Sequence, residues 1–175
     1  MNARLILATA MAAGLVAAPM AAASASGPHA ASGAPGTSAS ADDLANRAVV
    51  ESLYRAFAAG DGATISGLLA ADLVWIEAEN GPYADRNPYN GPAAVFEGVF
   101  GRIGAEFEGF VVTPANYLPS GDRVAVLGRY SGTNRATGEA LDAQFVHVFT
   151  VTDGKIVHFQ QYTDTAQWVD VVTPD

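Results

Sequence analysis

The chain contains no cysteine. That absence removes disulfides, thiol chemistry and thiolate metal sites together, so the fold must be held by its core. Basic residues are scarce. Nine Lys and Arg stand against eighteen Asp and Glu, for a formal charge of −9. A surface of that sign repels phosphate backbones and anionic lipid, which argues against nucleic-acid partners and polybasic membrane attachment. Histidine is rarer still. His29, His147 and His158 lie far apart, with no H-x-x-x-H or H-x-H spacing, and no metal site is expected. No Gly-rich phosphate loop and no nucleophile elbow occurs, so neither a cofactor nor a Ser-His-Asp triad is expected.

What is present is a chain of 175 residues, half of them hydrophobic, enough for one ordinary domain. The first 25 residues read as a secretory signal peptide. Arg4 charges a short n-region, Leu5 to Met20 carries no charge, and Ala23-Ser24-Ala25 offers a small-x-small cleavage site. The uncharged run falls short of the ~20 residues that span a bilayer, so no membrane anchor is expected after cleavage. Export to the periplasm or medium follows. Residues 26–41 are Gly, Ala, Ser, Pro and Thr with one His, a flexible leader that cannot bury enough apolar surface to offset its ordering entropy. The folded domain is expected over residues 42–170, with 171–175 as a tail.

Ser40, with Asp43 three residues on, marks a helix start. Ala45, Val49, Leu53 and Phe57, flanked by Ala48, Ser52 and Ala56, give the helix one apolar stripe. Gly60-Asp61-Gly62 ends it, and a short second helix runs from Ala63 to Leu69. A strand over Leu73–Ala78 and a loop carrying Tyr83 and Tyr89 come next. Pro92 opens a third helix, closed by Gly109. From there the period changes to two. Strands are expected at 110–117, 123–133, 139–152 and 155–164, the last pair joined by Asp153-Gly154. The class is α+β: three N-terminal helices packed in a strongly curved, mainly antiparallel sheet that forms a cone with an open mouth.

Three stretches carry a family resemblance. They are Val49 to Glu77, Tyr89-Asn90-Gly91 before the third helix, and Phe145 to Asp164. Together they resemble the nuclear transport factor 2-like superfamily, closest to its SnoaL-like and ketosteroid-isomerase-like branch. The resemblance covers about residues 42 to 170 and implies a fold more firmly than a function, because the superfamily hosts isomerases, cyclases, epoxide hydrolases and binders. It implies a proton-shuttling carboxylate at Glu77 and a histidine at His147. It places the isomerases' helix-one tyrosine at Leu53, where the hydroxyl is missing. It places the cyclases' last-strand acid at Gln161, which cannot shuttle a proton. It also implies a homodimer through the outer sheet face.

Alternation independently puts Trp75 and Glu77 on one strand face. Burial beside an indole would raise the Glu77 carboxyl toward neutral pH; at a strand end it could equally reach solvent. His147 sits in the apolar run Phe145–Phe149, either as a core residue or as the partner of Glu77 across the pocket. Phe159 and Gln161 share a face, with His158, Gln160 and Tyr162 on the other. Tyr54 is expected at the mouth, Tyr83 and Tyr89 in a lid, Phe145 in the pocket wall, and Arg129 as a pocket cation of unassigned face. Trp75, Glu77, His147, Phe159 and Gln161 are expected to converge. Three functions stay open. One is cofactor-free acid/base chemistry on a small hydrophobic or carbonyl-containing molecule, with Glu77 and His147 catalytic. The second is binding of such a molecule without turnover, and the third is a dimerising module with a filled cone.

Overall fold

The computed structural model describes residues 39–174. The expected signal peptide and nearly all of the leader lie outside the described residues. Helix α1 (Ala41–Ala59) begins where Ser40 caps it: the Ser40 hydroxyl accepts from the Asp43 amide and the Asp43 carboxylate accepts from the Ser40 amide. Gly60 ends it at φ 64°, a conformation open to glycine without a Cβ clash. Its buried residues are Val50, Leu53, Tyr54 and Ala56. The stripe is therefore turned from the expected one. Ala45 and Ala48 face water, and Tyr54 goes inward rather than to a rim.

Helix α2 (Gly62–Leu68), capped by Asp61, leads into β1 (Leu69–Ile76), which starts earlier than the apolar pattern suggests. Tyr89–Asn90, expected in a loop, forms a two-residue strand β2 paired with Val74 and Trp75. The third helix runs in three segments: α3 (Pro92–Val95), a π-helical turn (Phe96–Phe100) and α4 (Gly101–Glu106). The π turn carries Gly98, where a Cβ would lie 2.3 Å from the Tyr89 ring, so only glycine admits that ring. Tyr83 and Tyr89 are both 3% exposed. They are core residues and form no lid. The Tyr89 hydroxyl donates to the Tyr83 carbonyl, and the Tyr83 hydroxyl to Glu106.

Four long strands follow: β3 (Phe107–Ser120), β4 (Arg123–Asn134), β5 (Ala140–Thr152) and β6 (Lys155–Thr163). The sheet order is β2-β1-β6-β5-β4-β3. All pairs are antiparallel except β1 with β6, which is parallel. Helix α5 (Thr165–Val172) closes the chain, with Asp164 as its N-cap. The protein is an α+β fold in which a six-stranded curved sheet holds the helices on its concave side. Alternation along β4, β5 and β6 sends Val126, Phe145, Phe149 and Phe159 to that side, against Leu53 and Val99.

Candidate functional site

The concave face carries the chemistry. Trp75 on β1 pairs in register with Phe159 on β6, and their rings stack at 3.6 Å. Phe159 pairs with Phe149, and Gln161 pairs with His147. Cross-strand partners share a face, so β1, β6 and β5 present Trp75, Phe159, Gln161 and His147 to one interior. Glu77 stands just past the end of β1. The Asn87 side chain clamps its backbone from both sides, accepting from the Glu77 amide at 2.9 Å and donating to its carbonyl at 2.8 Å. That clamp carries the alternation one residue beyond the strand and turns the carboxyl inward.

Inside, the polar groups form a Trp75–Glu77 pair and, beside it, a chain through Gln161, Tyr130, His147 and Tyr54. The Trp75 indole donates to Glu77 at 2.6 Å. The backbone amide of Ala78, which can only donate, donates to the Gln161 Oε1 at 3.1 Å. This fixes the amide orientation of Gln161, so its Nε2 is the donor to the Tyr130 hydroxyl at 2.7 Å. Tyr130 in turn meets His147 Nε2, and Tyr54 meets His147 Nδ1 at 2.7 Å. Glu77 is 3% exposed, His147 6% and Gln161 8%. The cone is thus closed over its polar interior rather than open at a mouth.

Burial sets the proton affinities. Desolvation pushes the Glu77 carboxyl up to about 7, against the hydrogen bonds from Trp75 and Gln161 that favour its charged form. Desolvation pulls His147 down to about 3, so the imidazole is neutral at physiological pH. Tyr130 and Tyr54 are both raised by burial. A neutral imidazole has one N–H to share between two hydroxyls. Gln161 commits one of its two N–H groups, and Tyr130, His147 and Tyr54 bring one proton each, to three links. One hydroxyl proton is left over, on Tyr54 or on Tyr130 according to the tautomer. Neither hydroxyl has a hydrogen-bond acceptor besides His147 among the described residues.

The structure brings Trp75, Glu77, His147, Phe159 and Gln161 together, with Phe145 stacked on the His147 ring at 4.0 Å. Gly128 lies under Phe145, where a Cβ would be 2.3 Å from the ring. Two expectations need correcting. Glu77 and His147 form no direct pair, because both ring nitrogens of His147 are taken by tyrosines. Arg129 is not in the site. It lies on the convex face, exposed, and pairs with Asp142 at 2.7 Å. A tyrosine hydroxyl does reach the site from helix one, supplied by Tyr54 beside Leu53. Tyr54 also borders a groove of about 310 Å³ between α1 and β3, lined with Glu51, Arg55, Ala58, Val112 and Tyr117.

Tyr130 was missed from the sequence. The signal is in the strand period: counting in twos from Val124 and Val126 turns Tyr130 inward and Arg129 outward.

The comparisons with known proteins follow the same outline. The SnoaL-like domain profile matches residues 50–159. A solved NTF2-like protein from Burkholderia thailandensis E264 is 33% identical, over 74% of this chain and 98% of that one, with a TM-score of 0.70. Bal32a, from a soil-derived mobile gene cassette, is 26% identical over 75% of this chain and 99% of its own, with a TM-score of 0.69. A hypothetical protein of ketosteroid isomerase-like fold from Catenulispora acidiphila DSM 44928 shares the fold at 17% identity, over 73% of this chain and 93% of its own, with a TM-score of 0.61. No curated protein matches.

Proposed function

This chain belongs to the SnoaL-like domain family, and on that premise we propose that it takes a small, mostly apolar carbonyl compound into the cone and exchanges a proton with it through Glu77. One observation carries the reading. Glu77 is a buried carboxyl among rings, its side chain held by the Trp75 indole and paired with no cation among the described residues, and its proton affinity is raised to about 7. Near neutral pH such a group is divided between acid and base, the condition general acid–base chemistry requires. In the step itself the Glu77 carboxylate takes a proton from the carbon next to the ligand carbonyl. The C–H pair moves into the enolate, and the same proton or one from solvent returns. The spare hydroxyl proton of the Tyr54–His147–Tyr130 chain is the donor for the ligand oxygen. His147 acts as an anchor that holds both hydroxyls.

The test is deuterium incorporation into 2-tetralone, a flat ketone with acidic protons beside the carbonyl. The wild type is expected to speed exchange, with a rate that rises with pH through about 7 as Glu77 ionises. Glu77→Gln keeps the shape and loses the exchange. Equal exchange in the two proteins would end this reading.

A specific observation favours the second reading, binding without turnover. Gln161 accepts from the Ala78 amide and donates a hydrogen bond to the Tyr130 hydroxyl, and an amide does not shuttle protons. The proposal also includes export, as residues 1–25 suggest, and a homodimer formed through the convex face. In support of the dimer, Leu118, Ala125, Val148, Gln160 and Ile76 lie in one cross-strand row, and Leu127, Val146 and Tyr162 lie in the next. Leu118, Leu127 and Tyr162 are exposed there.

A further inference from the structure

Glu77, Tyr130, His147 and Gln161 are enclosed, so a ligand reaches them only if some part of the protein moves. The element that closes over Tyr130 is α5. It buries just two side chains, Trp168 and Val171. The Trp168 indole stands in a cage of four rings, with centroids at 5.3 Å for Tyr130, 5.6 Å for Phe107, 5.7 Å for Tyr83 and 5.9 Å for Phe110. Three of these contacts are edge-to-face, the arrangement that ring quadrupoles favour, so the cage is shaped for a flat aromatic ring.

The present occupant does not satisfy the cage fully. The indole Nε1 of Trp168 is buried and has no hydrogen-bond partner among the described residues. A buried donor without an acceptor weakens the closed state relative to one in which water or a ligand oxygen meets it. The helix is also lightly tethered. Among the described residues, its side-chain hydrogen bonds to the rest of the fold are the Asp142 amide donating to Gln167 at 2.9 Å and the Thr137 hydroxyl donating to the Val171 carbonyl at 2.7 Å. Beside it lies a hollow of about 400 Å³ bordered by Thr137, Asp170, Val171 and Thr173. No strand pairs with α5, and the sheet ladder is complete without it.

We propose that this cage is a binding site for a flat aromatic ring, that the closed chain fills it with its own Trp168, and that α5 withdraws to admit the ligand and uncover Tyr130. The ligand's ring takes the place of the indole. Its acceptor oxygen takes the spare hydroxyl proton. The identity of that oxygen rests on the reading above, but the withdrawal of α5 does not depend on any chemistry at Glu77.

The experiment uses the full chain labelled with 5-fluorotryptophan, with Trp168→Phe serving only to assign the two fluorine resonances. Amide hydrogen exchange is measured for α5 and β5, and 2-tetralone is the probe. The amides of residues 168–172 are expected to exchange about tenfold or more faster than those of β5, through an opening that leaves the sheet folded. Added 2-tetralone moves the Trp168 resonance to a solvent-exposed position and leaves Trp75 buried. Gln167→Ala, which cuts one tether, speeds exchange in α5 alone. It also tightens 2-tetralone binding several-fold, because a larger fraction of the protein is already open. Exchange of α5 only together with β5 would overturn the proposal. So would 2-tetralone binding that leaves the Trp168 resonance in place, or no binding to either form. Glu77→Gln keeps the opening and the binding even if the wild type exchanges no proton, so the two readings fail separately.

Discussion

The two faces of β4, β5 and β6 are built from alternate residues of the same strands, yet they treat polarity in opposite ways. On the convex face Arg129 pairs with Asp142 in water, and each partner would be solvated without the other. Such pairs add little to stability. On the concave face Tyr130, His147 and Gln161 are buried, and they are satisfied through one another together with the Tyr54 hydroxyl and the Ala78 amide. A polar residue one position along a strand thus passes from a dispensable role to an interdependent one. The concave chain also concentrates titration. In both Glu77 and His147 burial disfavours the charged form, through a raised proton affinity in the one and a lowered proton affinity in the other.

The sharpest way to break this comparison is through pH. His147 binds its proton less tightly when folded, at about 3 against 6.5, so its contribution is intact above 6.5 and is lost as pH falls toward 3. At 1.36 kcal/mol per pH unit the full effect is about 5 kcal/mol. Glu77 works in the opposite sense. Folding holds its proton more tightly, at about 7 against 4.5, so it favours the folded state most at low pH and loses that benefit as pH rises through 7. From pH 6.5 down to 4.5 the two effects cancel, and below 4.5 only the loss from His147 continues. Urea melts of the wild type should show no net contribution from this pair between pH 6.5 and 4.5. Glu77→Gln should lose about 3 kcal/mol relative to wild type over that interval. His147→Gln should gain a similar amount. Parallel pH profiles for all three proteins would mean that the two groups are not shielded from water as the structure has them.

The smaller effects belong to the convex face. Light scattering of the wild type at high micromolar concentration is expected to give a dimer. Tyr162→Lys, which puts a charge amid Leu127 and Val146, is expected to give a folded monomer with an unchanged far-UV spectrum. A wild-type monomer would remove the dimer proposal. Arg129→Ala is expected to leave the urea midpoint unchanged within error, and a clear loss would show that the convex face is less indifferent than the comparison holds.

Chain-local physics was legible in the sequence. The Ser40 cap, the Gly60 stop and the Asp153-Gly154 hairpin each depend on residues within a few positions, and the structure has them where the pattern put them; the change of period after the third helix comes three residues earlier than expected, with the helix ending at Glu106 and the strand starting at Phe107. Alternation within a strand was equally legible, which is why counting in twos already gathers Trp75, Glu77, His147, Phe159 and Gln161. The first helix was less legible, since alanine tolerates either face and Ala45 and Ala48 drew the stripe off its true direction. Only the tertiary structure decided what the gathered residues touch. The Asn87 clamp that turns Glu77 inward, the Tyr54 hydroxyl on His147, and Trp168 folded back against Tyr130 all join residues ten or more positions apart. Their meeting depends on sheet curvature and on how the helices close over it. Burial sets the proton affinities of Glu77 and His147, and burial belongs to the assembled cone, which no single stretch of sequence contains.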